Sequence, residues 1–187
     1  MYSYFYMKEV SLTTEEFNSV YNFCNEIMVK QSKRGSRDDM NKDKGTKRFE
    51  NNLIGKIGEF AVSKVIGGSI DLSVWKTGTR GIEQFEPDIV GHKLDYDVHV
   101  KTTHIKYSKD LTRASWTADK KDPIVDRSDK KQIIVFAFAG LDNKAIVLGY
   151  AFSNELQSYW KECVSSHMKH KVALYYKDIA PIVKKLI

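Results

Sequence analysis

The sequence predicts an α/β fold, a central mixed β-sheet flanked by helices on both faces. Helix-period patterns fill the first third of the chain, short strand-like runs occupy the middle, and mixed helix and strand patterns close it. At 187 residues there is enough chain for one sizeable core and too little for two ordinary enzyme domains, so one domain over 1–187 is expected. An apolar fraction of 42%, with ten Tyr, nine Phe and three Trp, argues for a packed globule over disorder.

Thr13 and Thr14 followed by Glu15 and Glu16 mark a helix start. Phe17, Val20, Tyr21, Cys24, Ile27 and Met28 then recur at helical spacing, predicting a helix over about residues 14–31. Residues 30–48, KQSKRGSRDDMNKDKGTKR, are rich in Gly, Ser, Asp and Asn and are read as a basic loop. FENNLIGKIGEFAVSKVI predicts a second helix, with Ile54, Ile57, Gly58, Ala61 and Val65 on one face and Gly67-Gly68 as the stop. At about 100° per residue, Glu59 falls on the flank of that face, beside Gly55 and Val62.

Strand-like runs follow: IDLSVW (70–75), PDIV (87–90), YDVHVKTTH (96–104), QIIVFAFAG (132–140) and NKAIVLGYAF (143–152), the last two joined by a tight antiparallel connection. SNELQSYWKEC reads as a helix, VALYY (172–176) as a strand, and KDIAPIVKKLI as a closing helix with Pro181 in its first turns.

The net charge of +6 is concentrated: residues 30–48 carry eight Lys/Arg against three Asp. Such a segment favours a polyanionic partner, a nucleic acid or an acidic membrane surface, or is a solvated loop. No segment has the length and apolarity of a membrane span, and the N-terminus lacks a basic region ahead of a sustained apolar one, so a soluble, intracellular, cytoplasmic protein is expected. Cys24 and Cys163 belong to no C-x-x-C or zinc-spaced cluster and are read as inert thiols in a reducing compartment.

The stretch PDIVGHKLDYDVHVK carries the chemistry. Strand alternation puts Asp97, His99 and Lys101 on one face and Val98, Val100 and Thr102 on the other, with Val98 and Val100 turned to a helix layer. The polar three then project toward the place where a neighbouring strand can present Asp88. A lysine beside carboxylates at a strand end suits metal-assisted phosphodiester hydrolysis, in which carboxylates hold Mg²⁺ and the lysine orients the nucleophile or stabilises developing charge. Asp88 is the most economical metal ligand.

The succession of a helix bearing GKIGEFAV, then PD, then x-x-K, then QIIVFAFAG and AIVLGYAF followed by a helix resembles the PD-(D/E)XK nuclease superfamily, the restriction endonuclease-like fold. The resemblance covers residues 49–163 as the core, with 1–48 as an N-terminal helix and basic loop and 164–187 as a C-terminal strand and helix. It implies a metal-dependent DNA endonuclease, of phage or restriction type, with Asp88 as the metal-binding aspartate, Lys101 as the catalytic lysine and Glu59 as a helix-borne acid beside the metal. It also implies the Val100 carbonyl as a main-chain ligand and Mg²⁺, with Mn²⁺ as the alternative, as cofactor. Double-strand cleavage with one site per chain calls for two chains, the ground for expecting a homodimer.

His99 departs from the pattern, standing where the family has Asp or Glu. Three explanations compete. A neutral imidazole ligates the metal and shifts preference toward Mn²⁺; Glu59 or Asp97 supplies the missing carboxylate while His99 acts on a water or a phosphate; or the site has lost metal and the fold only binds DNA. A nuclease acting on RNA or single strands is a further alternative.

Gripping a nucleic acid requires cations near the site. The candidates are Lys33, Arg34, Arg37, Lys42, Lys44, Lys47 and Arg48 in the basic segment, Arg80 in KTGTR, and Arg113, Trp116, Lys120 and Lys121 between the motif strand and QIIVFAFAG. Trp116 is read either as a base-stacking residue or as a packing anchor. The connection that carries it exceeds a normal loop, which points to a functional insertion.

Overall fold

The first helix begins at a capping box: Thr13 Oγ1 accepts from the N–H of Glu16 at 3.2 Å while Glu16 Oε2 accepts from the N–H of Thr13 at 2.7 Å. It is one of two long helices in the computed structural model of the chain, which describes residues 7–33, 42–70, 87–126, 131–163 and 168–186. In chain order the main elements are β1 (Lys8–Ser11), α1 (Thr14–Lys33), α2 (Lys42–Ile66), β2 (Ser69–Ile70), β3 (Ile89–Val90), β4 (Asp97–His104) and β5 (Ser115–Asp119). There follow β6 (Gln132–Ala139), β7 (Lys144–Phe152), β8 (Lys161–Glu162) and β9 (Lys171–Tyr175). The class is α/β, with a six-stranded mixed sheet in the order β1-β7-β6-β4-β3-β2. Its parallel pair, β4 with β6, sets Val98 opposite Ile133 and Lys101 opposite Phe136.

One face of this sheet is covered as expected. Val20 and Cys24 of α1 and Leu53, Ile57, Ala61 and Val62 of α2 are buried with Val98 and Val100 of β4 and Val135 and Ala137 of β6. Burying an aliphatic side chain such as Ile57 is worth roughly 1.5–3 kcal/mol. At Gly58 a Cβ would meet the Thr102 side chain, so the absence of one lets α2 lie directly on β4. Gly67, with φ of 76°, ends the helix, and its N–H donates to the Ser63 carbonyl at 2.9 Å.

The opposite face corrects the expectation of helices on both sides. It is covered by a second sheet, ordered β5-β9-β8, with short helical turns, and its core holds Trp116, Ala118, Ile134, Phe136, Phe138, Leu156 and Leu174. β6 therefore lies between two apolar layers and all its residues are buried, as its unbroken apolar run requires. Along β7 a register irregularity opposite Phe136 and Ala137 reverses the alternation, so Ala145 and Val147 join the helix-side core and Leu148 and Ala151 the other.

Other boundaries differ from expectation. Both ends of the basic segment are helical, since α1 runs to Lys33 and α2 starts at Lys42; Lys and Arg are good helix formers, so charge density did not mark a loop. The predicted helix after β7 is split into Ser153–Leu156, a 3-10 turn Gln157–Tyr159 and then β8. The closing helix is one turn, Tyr176–Ile179, ended ahead of Pro181, after which Lys184 bridges to Tyr150. IDLSVW is described only at its start, in β2; residues 71–75 lie outside the described residues. Among the described residues no helix is long and apolar enough to cross a membrane.

Candidate active site

Asp88 sits just ahead of β3, where its backbone N–H donates to the Val98 carbonyl at 2.9 Å. Its Oδ2 accepts from the N–H of Val100 at 2.7 Å, so a side chain takes the ladder position a backbone carbonyl would hold. In a strand the N–H and C=O of one residue point to the same side, so the Val100 carbonyl is directed to the edge that Asp88 occupies.

Glu59 comes to this place from α2. It is buried at 9% exposure, more deeply than a flank position suggests, and pairs with Lys56 Nζ at 2.5 Å. Burial pushes its carboxyl up to about 7; Lys56 pulls it down, Asp88 pushes it further up, and Lys101 has a smaller lowering effect. Glu59 is thus a buried carboxyl that carries the charge of a second carboxylate, Asp88, and is held by Lys56.

His99 and Lys101 leave β4 on the other face, as the alternation predicts. Burial is the leading cause that lowers the His99 pKa, opposed by the Asp88 charge and reinforced by Lys101, so the imidazole is neutral near pH 7. Its Nε2 is buried and meets no hydrogen-bond partner among the described residues. Lys101 Nζ lies 3.0 Å from Asp122 Oδ2, and Asp122 is itself fixed because its Oδ1 accepts from the N–H of Ile124 at 3.1 Å. Asp97 is the least of the charges that act on His99, and it opposes the lowering.

Asp88 is the common member. Its charge reaches Glu59 and Lys56 on the helix side and His99 on the other, and Lys101 acts on both Glu59 and His99. The candidates Asp88, Glu59, His99 and Lys101 therefore form one electrostatic cluster, with the Val100 backbone at its centre. Two members escaped the sequence reading. Lys56 had a signal in its i, i+3 spacing from Glu59, whereas Asp122, in the insertion, had none.

Among the described residues no group of three or more His, Cys, Asp and Glu side chains converges to hold a metal ion. The protein donors on offer are two carboxylates and the Val100 carbonyl, an all-oxygen set suited to a hard cation that keeps several waters, as Mg²⁺ does. Burial is the first cause of the raised Glu59 pKa, so it is the chemistry of the donor set, all oxygen, that suits such an ion.

The nucleic-acid candidates are dispersed. Arg34, Arg37 and Arg80 lie outside the described residues; Lys33 ends α1, Lys42 and Lys44 fall in the first turn of α2, and Lys47 and Arg48 follow in the same helix. Arg113, Lys120 and Lys121 are exposed on the insertion, with Lys120 paired to Glu162 at 2.7 Å. Trp116 is a packing anchor on β5: it is 1% exposed, its Nε1 donates to the Ala137 carbonyl at 3.1 Å, and its ring meets Phe136 and Phe138. The insertion supplies β5 to the second sheet and Asp122 to Lys101.

Cys24 is buried, and burial raises its thiol to about 11, an inert form. No family model, curated protein or solved structure matches the chain.

Proposed function

We propose that the chain is a metal-dependent endonuclease that hydrolyses DNA phosphodiester bonds, on a core similar to the PD-(D/E)XK superfamily. The observation that carries the reading is the hydrogen bond from Val100 to Asp88, which fixes a carboxylate against the backbone one residue before Lys101, beside Glu59.

Asp88, Glu59 and the Val100 carbonyl would hold Mg²⁺ or Mn²⁺. When bound, the ion neutralises the scissile phosphate and acidifies a water. Lys101, steadied by Asp122, directs its ammonium at the phosphate or the attacking water. His99, whose pKa burial lowers and whose Nε2 has no hydrogen-bond partner among the described residues, would take a proton from that water. This is the second of the three roles set out for His99: Glu59 supplies the acid. The basic segment supplies sequence-independent grip, and a homodimer would allow cleavage of both strands.

A second reading, a DNA-binding protein that has lost its chemistry, is favoured by His99 at the usual acidic position and by the lack of a third acidic side chain converging on the site among the described residues. Supercoiled plasmid, single-stranded DNA and RNA incubated with the wild type and Asp88→Ala, in Mg²⁺, Mn²⁺ and EDTA, separate the readings. Metal-dependent cutting of DNA that vanishes in the variant supports the nuclease; cutting confined to RNA or single strands redirects the substrate. Binding without cutting in any metal leaves the inactive fold.

A further inference from the structure

The residue that the proposed chemistry leaves without a task is Lys56. Its ammonium meets Glu59 Oε2 at 2.5 Å, both side chains nearly buried at 11% and 12% exposure, and it also feels the Asp88 charge. Placing an ammonium in such a position costs desolvation, and it persists because it is paired with a carboxylate. On the helix side Lys56 is paired with Glu59, while Lys101 is held by Asp122 on the other face. Lys56 is thus the cation of the helix-side carboxylates.

A second observation concerns where Lys56 can go. It lines a cleft of about 390 Å³ between α1 and α2, with Glu16, Ser19, Phe23, Phe60 and Lys64 among the other walls. Its Nζ already stands 5.9 Å from the centre of the Phe23 ring, a face that attracts an ammonium. Lys56 and Glu59 are three residues apart on α2, and the lysine side chain borders both the carboxylate and the cleft.

We infer that Lys56 is a resident cation of the Glu59–Asp88 pair, standing in for a divalent ion and withdrawing into the α1–α2 cleft when one binds. The inference rests on the reading of these carboxylates as metal ligands. It makes Lys56 an intramolecular competitor, which sets how much metal the site requires and keeps the carboxylates together without it. A lysine with a purely structural role predicts the opposite sign: its loss would loosen the site and weaken metal binding.

The test is Mn²⁺ binding to the full chain, followed by the paramagnetic resonance of the free ion, with melting temperature in EDTA read in parallel. Lys56→Met and Lys56→Gln are expected to bind Mn²⁺ about tenfold tighter than wild type. They should melt lower in EDTA and recover when Mn²⁺ is added. Lys56→Arg, which keeps the charge, should stay near the wild-type affinity, and Asp88→Asn should lose binding. If Lys56→Met does not fold, Lys56→Gln, which can still hydrogen-bond Glu59, carries the comparison. Unchanged or weaker affinity in a folded Lys56 variant, with wild type binding Mn²⁺, overturns the inference and leaves the metal reading standing. Absence of Mn²⁺ binding in every chain overturns both.

Discussion

Asp88 accepts the backbone N–H of Val100 through Oδ2 at 2.7 Å, and the same carboxylate adds its charge to Glu59 on one side of the sheet and His99 on the other. One side chain is therefore a strut of β4 and the centre of the proposed metal site. The two roles separate by substitution. Asp88→Asn keeps an acceptor for Val100, while Asp88→Ala leaves that N–H unmatched and should cost a further 1–3 kcal/mol or so. Both should lose metal-dependent cleavage by on the order of a hundredfold or more. Chemical denaturation beside plasmid cleavage reads both quantities; equal stability of the two variants would remove the strut.

Lys101 and Asp122 form a partly exposed pair, so breaking it should change stability by less than about 1 kcal/mol. Its effect belongs to the chemistry. Asp122→Asn should lower turnover by about tenfold with little change in KM, because Lys101 loses its steadying partner and keeps its charge. Lys101→Met should be more severe. A change in KM alone would make Asp122 a substrate contact.

Glu59 dictates a pH signature in metal-free protein. Its folded pKa, about 7, lies above the ordinary value of 4.5, so its contribution favours the folded state below pH 4.5 and is lost as pH rises through 7. The slope across that window is at most about 1.4 kcal/mol per pH unit. His99 works in the opposite sense, since its lowered pKa makes stability rise as pH climbs toward 6.5. The comparison is therefore wild type minus Glu59→Gln in EDTA, which isolates the falling component. A difference that is flat between pH 4.5 and 7 would refute the assignment.

At Gly58, α2 lies close against Thr102 of β4. Gly58→Ala would press a methyl group on Thr102 and should cost roughly 1–3 kcal/mol while moving Glu59 away from Asp88. Thr102→Ala in the same chain removes Oγ1 and the γ-methyl and should restore part of the loss. Denaturant midpoints of the two single variants and the double variant measure the coupling; additive effects would place the strain elsewhere.

In the basic segment, neutralising Arg34, Arg37, Lys42 and Lys44 together should weaken DNA binding and flatten its dependence on log salt by up to about 3.6, roughly 0.9 for each phosphate left without its cation. Binding measured from low to moderate salt checks this, and an unchanged slope removes the segment from the interface.

The helix-side half of the fold was legible because its periodicities are long and uninterrupted. Val98 and Val100 did turn to α2, and Gly67 did end it. Of the other half only β9, read as VALYY, was legible. β5 and β8 are short, and β1 at the edge has only Val10 partly buried, so none presents an apolar alternation long enough to see. The polar cluster was readable for Asp88, His99 and Lys101 because alternation relates them within one short stretch. Asp122 was invisible because its partner lies on another strand and its place is fixed only by the folding of the insertion.

β6 has no face that meets water in the finished fold. Its eight residues, QIIVFAFA, are low in charge, free of proline and composed largely of β-branched and aromatic side chains, the kind of segment that stacks into fibrils when left bare. The chain emerging during synthesis exposes it before β7 and β9 exist to cover it. Asp129, Lys130 and Lys131 immediately before it, and Asp142 and Lys144 soon after, stand as charged gatekeepers against self-association. Removing those charges should make the yield on refolding fall with concentration, so this strand's burden is one of biogenesis more than of catalysis.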